Sequence, residues 1–190
     1  TLTRQQELVW MAAAFETFLD SGSQCNHLVK KFPDQWKHYG TVKISETLSS
    51  TNRFAGLKQN DANTFIHSVW IRELCVLRGM TIHSSPLHKR QNMWDDFQHL
   101  LMGSFVFPLL VKVLLSQESL YLMTPEDAGS ARAVDKLLCL SDWGQDPKLH
   151  HSSEQSIWQD TINDEILAHI IEQGTQELLK GLNDNQGGSS

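Results

Sequence analysis

With 190 residues, 40% of them hydrophobic and 20% charged, the chain can bury one sizeable core, which excludes a wholly disordered or fibrous polymer. Taken whole, a net charge of −6 speaks against a nucleic-acid partner, but the charge is unevenly divided. Residues 1–90 carry 11 Lys and Arg against 7 Asp and Glu, whereas residues 91–190 carry 5 against 15. Because phosphate is neutralised by the face that meets it, the first half is the candidate nucleic-acid side.

In chain order, a first helix is expected from Arg4 to Asp20. Thr3 and Gln6 form a capping-box pair, and Leu8, Met11, Ala12, Phe15 and Leu19 recur at helical spacing. Residues 24–39 are basic (Lys30, Lys31, Lys37) and broken by Pro33, and read as two short helical turns. The run Thr41–Leu48 alternates, with Val42, Ile44 and Leu48 on one side and Thr41, Lys43, Ser45 and Thr47 on the other. Such a β-branched alternation predicts a strand, the one convincing strand in the chain. A lone strand leaves its backbone groups unpaired, so pairing with its copy in a second subunit is the simplest completion.

A short helix over 49–58 follows, then a longer one from Asp61 to Arg78 with Asn60 as N-cap and Gly79 as its stop. Residues 80–90 read as a loop. A helix from Gln91 to Phe107 is kinked or interrupted at Pro108 and resumes to Leu115. The apolar stretch Gly103–Leu115 is too short to span a bilayer and reads as core. Thr124 and Pro125 open a helix that ends near Leu140. After a polar loop over 141–152, a last helix runs from Glu154 to Lys180, with Gly174 a possible break, before a polar tail from Leu182 to Ser190. The expected organisation is a DNA-binding region over 1–90, a helical region over 91–182 and a disordered tail over 183–190.

Strand, short helix, turn and longer helix over 41–79 is the order of a ribbon-helix-helix unit, in which two subunits pair one strand each and lay the ribbon in the major groove. The fold class expected is therefore mainly α with one short β-strand paired across a homodimer, plus C-terminal helices. On this reading Lys43, Ser45 and Thr47 contact bases. Lys30, Lys31, Arg53 and Lys58 contact phosphates, joined by Asn63 and Thr64 at the N-terminus of the longer helix. Asp61 and the inward Glu46 fit this scheme poorly.

The stretch LVKVLLSQESLYLMTPEDA (Leu110–Ala128), followed by Ala131-Arg132-Ala133-Val134, resembles the C-terminal helical region of the AcaB-like family of conjugative plasmids and integrating conjugative elements. Thr47, Phe54, Gly56 and Lys58 are similar to positions that follow that family's strand. The resemblance implies a ribbon-helix-helix type DNA-binding dimer that activates conjugative transfer genes at promoter DNA, with RNA polymerase a possible partner of the acidic half.

Other chemistry is thinly represented. The nine histidines, His150-His151 among them, lack zinc-site spacing and read as solvated. Cys25, Cys75 and Cys139 form no CxxC pair and read as small hydrophobes in a reducing cytoplasm. No P-loop, GxGxxG or GxSxG occurs, so neither a cofactor nor an enzymatic activity is expected. The tryptophans fall largely on core stripes, with Trp36, amid lysines, kept as a possible nucleic-acid contact. The rival expectation is a helical protein–protein adaptor that binds no DNA.

Overall fold

The computed structural model describes residues 2–22, 25–47, 64–83, 92–140 and 157–186. Among them are seven helices and no strand: α1 (Arg4–Phe18), α2 (Cys25–Trp36), α3 (Ile44–Thr47), α4 (Ile66–His83), α5 (Asp96–Gln117), α6 (Pro125–Cys139) and α7 (Ile157–Gln186). α4 packs against α1, α2 and α6; α5 lies along α1 and α6; α7 lies on α6.

Local sequence accounts for several boundaries. Thr3 with Gln6, Asp95 with Gln98 and Thr124 with Asp127 each form a reciprocal capping box, and Pro125 occupies the first helical position of α6. α1 and α5 end in left-handed residues, Asp20 (φ 46°) and Ser119 (φ 59°), as the closing turn of a helix requires.

The two internal prolines do not divide their helices. α2 runs through Pro33 because Leu28, Phe32 and Trp36, four residues apart, are all fully buried. α5 runs unbroken through Pro108, with Met102, Val106, Leu110 and Val113 in the core on either side. By length and composition α5 could cross a membrane, though this face of it is buried within the protein. Gly79 is passed without interruption as α4 continues to His83, and α7 continues through Gly174 to Gln186.

The core is centred on aromatic rings. Phe15 meets Phe32, Trp70 and Phe107 edge-on at centroid distances of 5.9, 6.0 and 5.3 Å. Phe32 stacks on Trp36 at 5.4 Å. Such offset and edge-to-face geometries follow the ring quadrupole and add to the gain from burying area.

The expected ribbon-helix-helix unit is not formed. Residues 41–43 are extended for a single antiparallel bridge, Lys43 to Phe65, within the same chain, and Ile44–Thr47 turn into helix. Ile44 N–H donates to Thr64 O (3.0 Å) and Ile66 N–H to Val42 O (3.1 Å). The remaining amides explain why no longer strand forms: Thr41 N–H and Val42 N–H donate to one carboxylate oxygen of Asp135, at 2.8 and 3.0 Å. Backbone donors that a partner strand would have satisfied are satisfied from α6, and the β-branched preference of the segment yields to that contact.

Candidate functional site

Two histidine–carboxylate pairs, each with a buried imidazole, hold the helices in register. His67 Nδ1 lies 2.8 Å from Asp135 Oδ1, with the two side chains 1% and 0% exposed. The same Asp135 takes the Thr41 and Val42 amides, so one carboxylate joins α4, α6 and the 41–43 segment. Gly40 is obligatory there: a Cβ at that position would come 2.5 Å from the His67 ring. The geometry has the form of a catalytic His–Asp dyad, but side chains so thoroughly covered cannot meet a substrate. The pair acts as a clamp.

In the second pair, Glu73 of α4 accepts from His99 Nε2 (3.1 Å) and from the amides of Met93 and Trp94 (3.0 Å each). It fixes the approach to α5. A third polar cluster joins α1, α2 and α4. Glu16 pairs with Arg78, the Cys25 thiol donates to Glu16 at 3.6 Å, and the Cys75 thiol reaches Cys25 O at 3.8 Å. Burial, reinforced by the adjacent Cys25, pushes the Cys75 thiol well up, so it stays protonated and behaves as a core group.

The α5–α6 turn is tied by Asp127, which accepts from Lys112 Nζ (2.6 Å) and Tyr121 Oη (2.5 Å). Burial raises this carboxyl, but Lys112, Tyr121 and the Thr124 amide outweigh it and hold the group below the usual carboxylate range.

The surface offers a different kind of feature. On α1 the apolar residues form two adjacent stripes. One (Leu8, Ala12, Phe15, Leu19) is buried, and the other (Trp10, Ala14, Phe18) faces outward, with Trp10 67% exposed. Trp10 stands between two open hollows of about 530 and 490 Å³. The first is floored by Met11, Leu100, Phe107 and Pro108, and the second by Ala13, Thr17, Phe18 and Phe107. Together they make an apolar trough along α1 and α5. An exposed indole between hydrophobic hollows is characteristic of a protein-binding surface.

The residues assigned to DNA from the sequence do not gather on one face of a ribbon. Lys43 and Ser45 are exposed, but Thr47 is buried at 4% exposure and its hydroxyl donates to Ile44 O at 2.8 Å. Lys30 is exposed on α2, while the Lys31 ammonium closes the end of α1 through Leu19 O (3.0 Å) and Asp20 O (2.5 Å). Thr64 lends its carbonyl to the bridge pairing. Arg53, Lys58 and Asn63 lie outside the described residues.

Trp36, kept from the sequence as a nucleic-acid contact, is fully buried against Phe32. His67 and His99, taken with the other histidines as solvated, are buried in the clamps. Trp10 was missed because its stripe runs beside the core stripe, and spacing alone does not say which of two adjacent apolar stripes is covered. Comparison of the chain with protein-family models, with curated proteins and with solved structures returns no match.

Proposed function

We propose that this chain is a helical protein-interaction module whose docking face is the Trp10 trough, taking the apolar side of a partner helix. The observation that carries this reading is the outward stripe of α1, with its two-thirds exposed indole between two apolar hollows. A partner helix with apolar residues at i, i+3/i+4 and i+7 would lay them into the two hollows on either side of Trp10. Large, rigid aromatic anchors of this kind carry most of the energy in such interfaces.

Display selection of helical peptides on the purified protein tests the reading. Binders are expected to share that apolar spacing, and Trp10→Asp is expected to abolish their binding while leaving the far-UV spectrum unchanged. Binders that ignore Trp10→Asp would overturn it.

A second reading, DNA binding, draws support from Lys30, Lys37 and Lys43, which are exposed on α2 and the segment after it, and from the resemblance to AcaB-like regulators. It requires a surface other than a ribbon. Titration with short duplexes across a salt series separates the two: a steep salt slope lost in a Lys30/Lys37/Lys43 triple alanine variant favours DNA, and negligible affinity at physiological salt favours the adaptor.

A further inference from the structure

The second half of α7 leaves the body of the protein. Its last described tie is Glu172, paired with Arg132 at 2.5 Å, and from Ile171 to Leu182 every residue is exposed. Beyond Glu172 the helix continues for roughly 20 Å at 1.5 Å per residue. A free helical segment of this length is marginal in water, and Gly174 and Gly181 each weaken it further.

This arm is not polar. α7 sits on α6 through Ile162, Glu165 and the half-buried Ile166 and His169. Roughly opposite that face runs a second stripe with Leu167 57%, Ile170 43%, Ile171 60%, Leu178 72%, Leu179 56% and Leu182 61% exposed. The order of these residues is symmetric about the Gly174–Thr175 bond. Counting outward from that bond, Ile171 matches Leu178, Ile170 matches Leu179, and Leu167 matches Leu182, with the two small residues at the centre.

We propose that the occupant of this stripe is a second copy of the chain, joined by antiparallel pairing of the two α7 helices about a two-fold axis at Gly174–Thr175. A two-fold interface requires that if residue i meets j, then j meets i, and the symmetric stripe meets this demand in one register. In that register every large apolar residue faces another, while Gly174 and Thr175 allow the helices to approach at the axis. The six side chains expose roughly 600 Å² per copy, so mutual cover removes on the order of 1,200 Å², the lower edge of what stable interfaces bury. The pairing uses no residue that lines the Trp10 trough and does not rest on it.

Sedimentation analysis of the full chain, over concentrations up to about 100 µM, tests the proposal against the affinity scale of specific association. The unmodified chain is expected to be a dimer. Ile171→Glu and Leu178→Lys should each raise the dimer dissociation constant at least ~100-fold, as loss of central apolar anchors does. Combined in one chain, the two should restore dimerisation, because residue 171 of one copy then meets residue 178 of the other with opposite charge. A parallel pairing would instead set like against like and stay broken.

A monomeric unmodified chain, single variants that remain dimeric, or a double variant no better than its parents would each overturn the proposal. Both sites are exposed, so circular dichroism should show the body unchanged. Trp10→Asp should leave the dimer intact, which separates failure of this proposal from failure of the interaction reading above.

Discussion

Gly129 and Gly174 sit on neighbouring helices and do opposite things, and the contrast separates the body of the protein from its arm. A Cβ on Gly129 would come within 2.4 Å of the Ile166 backbone, because α6 and α7 approach there more closely than any side chain allows. A Cβ on Gly174 would meet nothing within 4 Å. At Gly129 the missing side chain is a packing requirement within the fold; at Gly174 nothing in the same chain needs it, and glycine there lowers helix propensity. The same residue type is thus held by backbone contact at one of these two positions and by none at the other.

The strongest way to break this contrast is to remove a central ring. Trp70→Ala, at a fully buried site beside Phe15 and Phe32, is expected to cost about 3–5 kcal/mol in denaturant unfolding. Leu178→Ala in the arm should leave the unfolding midpoint of the body in place. Next in size, Asp135→Ala strands the Thr41 and Val42 amides and His67 together, at a cost of about 3 kcal/mol. Hydrogen exchange should then show those two amides opening before the amides of α4.

Gly129→Ala should destabilise by about 1–3 kcal/mol, since the obstacle is backbone and cannot rotate away. Gly174→Ala sharpens the comparison from the other side. It should stabilise the arm helix by about 1 kcal/mol, read as greater helicity at 222 nm. If both substitutions shifted stability in the same direction, the distinction between body and arm would fail.

The smallest effect concerns pH. The folded Asp127 carboxyl lies below its unfolded value, so its contribution is fully present above the ordinary carboxylate range and is lost as pH falls through the folded value. Acid titration of unfolding should therefore show an Asp127-dependent decline beginning near pH 4, which Asp127→Asn removes. The modest size follows from the partial exposure of Lys112.

What could be read from the sequence was what local chemistry decides. Thr3 with Gln6 and Thr124 with Pro125 placed two helix starts correctly, because a cap and the amides it satisfies lie within one turn. The misreading at 41–48 had a remote cause: the acceptor that claims the Thr41 and Val42 amides is Asp135, more than ninety residues away in a helix whose own pattern gives no sign of it. Pro33, Pro108 and Gly79 misled for a related reason, since burial of Phe32, Val106 and Leu77 on the same helices outweighs a local breaker. The clamps escaped notice because isolated histidines show no spacing signal, and Trp10 because exposure is decided by what packs alongside.

The Asp135 clamp also bears on how the chain is made. A polypeptide is synthesised from its amino terminus, so residues 40–43 and His67 emerge well before the carboxylate that binds them. Until α6 is complete, that segment is free to take any other backbone acceptor, and the β-branched run Thr41–Ile44 is chemically suited to pairing with a neighbouring nascent chain. The Thr41 and Val42 amides thus gain their native acceptor only after the chain has been made as far as Asp135.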